Sequence, residues 1–156
     1  YGGDNMLDSM MYAKWDGSQW DIEEIEGGTI GFGVFCDIAF DSNDVPRIVH
    51  SEGGVRYLEP KGDGWDLTIV DDETYAGYTN IALTSSNMVY ISYLSEGNVK
   101  VGYRDVTTWT IEPVDLGISS GRGTFIDYYE DTSTGTEYIG IGYVDTQASQ
   151  FAEKTL

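Results

Sequence analysis

The feature that most constrains this chain is a short tryptophan motif that recurs along the sequence. The motif reads WDIEEIE from Trp20, WDLTIVD from Trp65 and WTIEPVD from Trp109. Each tryptophan is followed by an aliphatic residue two positions later and another five positions later, and then by an acid. A pattern repeated in this way predicts similar structural units, each of which packs against its neighbours.

The flanking sequence repeats as well and divides the chain into units of four short strands. A tyrosine-bearing segment precedes each tryptophan, a glycine-led strand follows it, and a segment of the type ISY comes next. The repeat predicts units at approximately 9–52, 53–97 and 98–147, with the start of a fourth at 148–156, within a single segment 1–156.

Four short strands in a unit of about 45 residues are typical of one blade of a β-propeller. Period-two alternation places apolar residues on both faces of these strands, which suits blades that are covered on both sides. We therefore expect an all-β β-propeller of four-stranded antiparallel blades, with about three blades in this chain. The residues expected to pack between blades are Trp20, Trp65, Trp109, Ile22, Leu67 and Ile111.

The first unit resembles the propeller repeats of bacterial and archaeal surface proteins, of the type Y-A-x-W-D-G-x-x-W followed by D-S-x-G-x-P-H-I-S-Y. YAKWDGSQWDIEEIE and CDIAFDSNDVPRIVH carry this resemblance, and the later units match it more loosely. The repeats are also similar to those of sialidase-like and lectin-like propellers. The resemblance implies a propeller on an extracellular or cell-surface protein, but such propellers serve many unrelated functions.

The charge of the chain restricts its partners. It has 8 basic and 27 acidic residues, a formal net charge of −19 at pH 7. Such a surface repels phosphate, so nucleic-acid binding is not expected. No apolar run has the length of a membrane span, so membrane insertion is not expected either. The acidity is explained by solubility, by adaptation to high salt or by Ca²⁺ binding; the candidate metal ligands are Glu130, Asp131 and Thr132.

Five residues are candidates for ligand binding. Trp15 and Asp16 stand at the Asp-Gly turn of the first hairpin, where an aromatic ring can stack on a sugar. Pro60 and Asp105 are expected to take the place of Trp15 in the other units. The remaining candidates end equivalent strands in successive units: His50, Tyr93 and Tyr143.

No catalytic residue is assigned, because no Ser-His-Asp arrangement and no G-x-S-x-G motif is recognisable. The four arginines occupy different repeat positions, which argues against the convergent cluster of a sialidase-like site: Arg47, Arg56, Arg104 and Arg122. The single cysteine, Cys36, excludes an internal disulfide, and its apolar neighbours in VFCDIAF predict a core position.

The sequence therefore predicts a non-catalytic binding module of an extracellular or cell-surface protein, with a protein or a glycan as its ligand. Two alternatives stay open: a carbohydrate-active propeller enzyme of the glycosidase or lyase type, and an architectural subunit of a surface array or filament. No cofactor other than Ca²⁺ is expected. The segment starts and ends within a blade, which predicts that a longer propeller chain or a homo-oligomer completes it.

Overall fold

The computed structural model describes residues 8–30, 35–105, 107–117, 123–145 and 148–156, and Arg122 lies outside this set. The described residues form thirteen β-strands. The strands are β1 (Asp8–Trp15), β2 (Trp20–Ile30), β3 (Cys36–Phe40), β4 (Pro46–Ser51), β5 (Val55–Lys61), β6 (Gly64–Asp71), β7 (Gly77–Leu83), β8 (Val89–Ser95), β9 (Asn98–Asp105), β10 (Thr108–Asp115), β11 (Thr124–Asp131), β12 (Thr136–Asp145) and β13 (Ala148–Thr155).

These strands form four antiparallel sheets, which confirms the all-β prediction. Sheet I contains β1 and β2, sheet II β3 to β6, sheet III β7 to β10, and sheet IV β11 to β13. Neighbouring strands within a sheet are consecutive in the chain, so each pair is joined directly by a turn or short loop. The predicted units are offset from sheets II to IV by two strands, since the units that begin at 53, 98 and 148 start at the third strand of a sheet.

The first hairpin shows how a turn fixes the register of a sheet. Trp15 pairs with Trp20 across it, and Gly17 has φ 105°, a conformation that favours glycine. The Asp16 carboxylate accepts hydrogen bonds from the backbone N–H groups of Ser18 and Gln19, at 2.6 and 2.8 Å. These bonds lower the pKa of Asp16 and hold the turn in place.

The core lies between neighbouring sheets, because sheet III is apolar on both faces. Strand β8 is buried throughout its length. Val89, Ile91 and Tyr93 belong to the apolar cluster shared with sheet II, whereas Tyr90 and Leu94 belong to the cluster shared with sheet IV. The strand therefore places successive side chains into two different cores, as period-two alternation requires.

Three sequence predictions about burial differ from the structure. Trp20 and Ile22 are 61% and 65% exposed, because no described strand packs on the outer face of sheet I. Cys36 is exposed and not in the core, since it begins β3 at the edge of sheet II. Leu67 and Ile111 are also partly exposed, at 36% and 39%.

In the part of the chain that the structure describes, no helix has the length and apolar character of a membrane span.

Candidate ligand-binding cleft

We call the space between two neighbouring sheets a junction. In each junction, a residue near the end of the second strand of the later sheet contacts the acid that ends the tryptophan motif of the preceding sheet. Between sheets II and III, the Tyr93 hydroxyl donates to Asp71 Oδ2 at 2.7 Å. Between sheets III and IV, the Tyr143 hydroxyl donates to Asp115 Oδ2 at 2.8 Å. Both tyrosines are buried. The ligand-binding role predicted for them does not fit this placement, because their rings and hydroxyls are engaged between the sheets.

His50 occupies the equivalent place between sheets I and II. Its Nε2 lies 2.6 Å from Glu26 Oε2, and Arg56 Nη1 lies 3.4 Å from the other oxygen of the same carboxylate. The imidazole is fully buried. Burial lowers the pKa of His50 and outweighs the opposing charge of Glu26. The predicted ligand-binding role does not fit His50 either.

Glu26, His50 and Glu52 form a group whose geometry could admit a metal ion, because one ligand atom from each lies within 4.8 Å of the others. Arg56 lies against the same group, and its Nε donates to the Glu52 backbone oxygen at 3.0 Å. The guanidinium already supplies the positive charge that these carboxylates require. The group therefore fits an inter-sheet contact better than a metal site.

A second repeated contact joins an indole of one sheet to a tyrosine ring of the preceding sheet. Tyr57 and Trp109 meet edge to face between sheets II and III, with ring centroids 5.3 Å apart and planes at 67°. Tyr12 and Trp65 meet between sheets I and II at 5.3 Å and 65°. Two of the three motif tryptophans thus lie between sheets and form aromatic pairs of almost the same geometry.

An arginine fills the space beside the aromatic pair between sheets II and III. Arg104 Cζ lies 4.7 Å from the ring centroid of Tyr57 and 5.6 Å from that of Trp109. Its Nη1 and Nη2 donate to the two carboxylate oxygens of Glu59, at 3.1 and 3.0 Å. Arg47 donates to Glu59 as well. Arg47 and Arg104 thus meet at one carboxylate of the chain, although they occupy different repeat positions, and both guanidinium groups are engaged there.

A lysine takes the same place between sheets III and IV. Lys154 Nζ lies 2.7 Å from Glu112 Oε2 and 4.7 Å from the ring centroid of Tyr103. The strand register shows the equivalence of the two cations. Arg104 stands opposite Val89 on the second strand of its sheet, and Lys154 stands opposite Ile139 on the second strand of sheet IV.

Between sheets I and II the corresponding position is held by Pro60, which has no charge. Pro60 pairs with Trp65 across its hairpin just as Arg104 pairs with Trp109. Among the described residues, no cation forms an ion pair with Glu23, whose Oε1 accepts a hydrogen bond from Trp65 Nε1 at 3.2 Å. A cleft of about 350 Å³ remains here, which we call the I–II cleft. Its lining includes Tyr12, Lys14, Glu23, Pro60, Asp63 and Trp65.

The two remaining candidates for ligand binding lie on sheet I beside this cleft but not in its lining. Trp15 and Trp20 form an exposed edge-to-face pair, with centroids 5.6 Å apart. Trp15 alternates with Lys14 along β1 and so points to the face opposite the cleft. The carboxylate of Asp16 is engaged by the backbone hydrogen bonds that hold the turn. The hairpin register aligns Trp15 with Pro60 and with Arg104, which corrects the predicted equivalence with Asp105.

The predicted metal ligands lie at the end of β11 and in the turn that follows. Asp131 Oδ1 accepts hydrogen bonds from the backbone N–H and the hydroxyl of Ser133, at 2.9 and 2.6 Å, which lower the pKa of Asp131. Glu130 is exposed and stands opposite Glu137 on β12, and Thr132 is exposed in the turn. The turn therefore has a structural reason for its aspartate, and calcium binding by these residues stays a prediction.

The predicted calcium site has a measurable consequence. The melting temperature is expected to be higher in millimolar CaCl₂ than in a chelator, because an ion that binds only the folded chain stabilises it by mass action. Asp131→Asn keeps an acceptor for the turn but removes the charge, so the difference should disappear in this variant. Equal melting temperatures of the unmodified chain in calcium and in chelator would contradict the site.

Comparisons with known proteins give similarity to solved structures but no match to a family model or a curated protein. Among solved structures, the chain is similar to a fucose lectin from Kordia zhangzhouensis in complex with methyl-fucoside, with 13% sequence identity and a TM-score of 0.48. The match covers 76% of this chain and 97% of that chain. A similarity of this size defines no family, so function has to be inferred from the I–II cleft itself.

Proposed function

We propose that the four sheets are blades of a β-propeller and that the protein is a non-catalytic binding module, extracellular or at the cell surface. Its ligand is a glycan, which it holds in the I–II cleft. The observation that carries this proposal is the aromatic pair of Tyr12 and Trp65 beside Glu23, at a position where the two other junctions are filled by a cation of the chain itself.

The arrangement of the sheets supports the propeller. The first strands of sheets II and III, β3 and β7, contact each other, and β7 contacts β11 of sheet IV in the same way. Sheet III is covered on both faces by its neighbours. A two-layer sandwich has one core between two sheets, whereas blades around an axis have one core per junction.

The chemistry of the I–II cleft supports a sugar as ligand. Tyr12 and Trp65 offer aromatic surface on which the C–H groups of a pyranose can stack. Glu23 can accept hydrogen bonds from hydroxyl groups, and its carboxylate is oriented by the Trp65 N–H. Lys14, which shares a face of sheet I with Tyr12 and Glu23, can donate to ring or hydroxyl oxygens. The volume of about 350 Å³ lies at the lower end of the range for small-molecule sites.

Binding without turnover is proposed because the described residues that line the cleft include no histidine, cysteine or serine. The single histidine is buried beside Glu26 and engaged there. An enzyme of the glycosidase type would instead have to use Glu23 and Asp63 as its acid pair. Release of reducing sugar from the bound glycan would favour that alternative over the one proposed.

The proposal is tested with a glycan array followed by calorimetric titration of a glycan that the array retains. Trp65→Ala is expected to weaken binding at least about tenfold, because it removes the aromatic floor and the donor to Glu23. Trp20→Ala is the matched control, since Trp20 is the equivalent residue of sheet I but is exposed on the other face. Lys14→Ala, an exposed change, should also weaken binding while leaving the fold intact.

Three results would contradict the proposal. The first is that the array retains no glycan. The second is that Trp20→Ala weakens binding as much as Trp65→Ala. The third is self-assembly of the unmodified chain into large particles without any glycan binding, which would favour the architectural alternative.

A further inference from the structure

The junction between sheets II and III shows what the I–II cleft lacks. The pair of Tyr57 and Trp109 has nearly the same geometry as the pair of Tyr12 and Trp65. The guanidinium of Arg104 lies against the pair of Tyr57 and Trp109 and is also hydrogen-bonded to a carboxylate. No described arginine or lysine forms a cation–π contact with the pair of Tyr12 and Trp65. The position on the third strand that carries a cation in the later sheets is occupied here by a proline.

The junction between sheets III and IV shows which acid would serve a cation in the I–II cleft. Lys154 pairs there with Glu112. Glu112 stands three residues after Trp109, as Glu23 stands three residues after Trp20. Glu23 pairs with Tyr12 across sheet I, and Glu112 pairs with Val101 across sheet III in the same register. The carboxylate that holds a cation in one junction is therefore present in the other.

We propose that the ligand of the I–II cleft supplies the missing cation, and that this ligand is a glycan with an unacetylated amino sugar. This inference rests on the proposed function, which it makes more specific. The ammonium group lies against the ring of Tyr12 or Trp65 and donates to Glu23, in the manner of Lys154 with Tyr103 and Glu112. Hydroxyl groups of the same sugar accept hydrogen bonds from Lys14.

The charges of the cleft and of the chain agree with a cationic ligand. Among the described residues that line the cleft, Glu23 and Asp63 are acidic and Lys14 alone is basic. Lys14 stands opposite Asp21 in the register of sheet I, so that its charge has an acid beside it on the adjacent strand. The chain as a whole carries a formal charge of −19, which attracts a cationic ligand from solution.

A pair of sugars that differ only in acetylation gives the direct test. We expect a β-linked glucosamine trisaccharide to bind at least about tenfold more tightly than its N-acetylated counterpart, at a pH at which the amine is protonated. The acetylated sugar keeps the ring, the linkage and the hydroxyl groups but replaces the ammonium group with a neutral and larger acetamide, so the Glu23 variant below is needed to assign the difference to charge. Titrations in the presence of added salt distinguish a specific site from general attraction to an acidic surface.

Two neighbouring glutamates provide a matched pair of variants. Glu23→Gln is expected to remove the tenfold preference for the amine, because the amide keeps an acceptor but loses the charge. Glu24→Gln changes the net charge by the same amount on the opposite face of β2, where it pairs with Met11, and should leave the preference unchanged. Both side chains are exposed, so neither change threatens the fold.

A substitution at position 60 tests the inference by supplying the missing cation from the chain itself. Pro60→Arg places a guanidinium where Arg104 lies in the neighbouring junction, and it is expected to compete with the amine and weaken its binding at least about tenfold. Thr107→Arg adds the same charge at an exposed turn and should leave binding unchanged. Thermal melting of each variant shows whether the fold is kept, and Glu23→Gln decides the question if Pro60→Arg does not fold.

The outcomes separate this inference from the proposed function. Equal binding of both sugars, lost in Trp65→Ala, would overturn the cationic ligand and leave glycan binding intact. A preference for the amine that survives Glu23→Gln, or that Glu24→Gln removes equally, would overturn the assigned site. Binding of a lysine peptide with no binding of any glycan on the array would overturn the glycan itself.

Discussion

Replacing Glu59 with alanine is expected to lower the free energy of unfolding by about 3 kcal/mol, because it leaves the partly buried Arg104 guanidinium without its counter-ion and leaves Arg47 with Asp41 alone among its described carboxylate partners. Arg47 and Arg104 both donate to this carboxylate, from different sheets. Burial raises the pKa of Glu59, but the hydrogen bonds and charge of Arg104 outweigh it, so the net shift of the pKa is downward. The carboxylate is thus held in its charged form at the junction of sheets II and III.

Asp66→Ala is the control for this prediction. Asp66 also forms an ion pair, with Lys61 at 2.9 Å, but both side chains are substantially exposed, at 43% and 69%. Its loss should change the free energy of unfolding by less than about 0.5 kcal/mol. Urea unfolding of the two variants measures both effects. Similar losses for Asp66→Ala and Glu59→Ala would show that the junction of sheets II and III does not depend on the arginine pair.

The sequence could predict the sheets because each unit repeats the same local signals. The recurring indole, the alternation of apolar residues and the turn residues between them define one hairpin, and hairpins with the same signals form equivalent sheets. The acid that closes the motif was visible as a repeated position. Its role was not visible, because Asp71 and Asp115 meet Tyr93 and Tyr143 only when one sheet packs on the next.

The I–II cleft could not be found from the sequence, since it depends on which residues face each other between sheets. Sequence spacing aligns Asp105 with Trp15, but the hairpin register aligns Trp15 with the residue one position earlier, Arg104. Once Arg104 is aligned with Trp15, Pro60 stands out, because the equivalent position carries a cation in sheets III and IV. A shift of one residue exchanges the two faces of a strand, so the cation position and its replacement by proline cannot be recognised from an alignment that is wrong by one residue.

His50 leads to the second prediction, which concerns pH. In the other two junctions a tyrosine donates to an aspartate, whereas here a histidine meets Glu26. We expect the double variant His50→Tyr with Glu26→Asp to lose most of the acid sensitivity of the unmodified chain between pH 7 and pH 5. The shorter acid compensates for the longer ring, so the variant reproduces the pair of Tyr93 and Asp71.

The direction in which stability changes with pH follows from the lowered pKa of His50. Burial lowers the pKa of folded His50 below the value of about 6.5 that holds in the unfolded chain. The unfolded state therefore binds more protons as the pH falls below that value, and folding loses up to about 1.4 kcal/mol per pH unit until the folded histidine is protonated too. The neighbouring charges are Glu26, Glu52 and Arg56.

Urea unfolding at pH 7.0, 6.0 and 5.0 measures the effect in both proteins. The unmodified chain should become less stable across this range, and the double variant should change much less, because a tyrosine binds no proton there. His50→Tyr alone is a second comparison, since it removes the titrating group but keeps Glu26. The same loss of stability with pH in all three proteins would contradict the prediction. It would mean that the acid sensitivity arises elsewhere, for example from the carboxylates that hold Arg47 and Arg104 at the next junction.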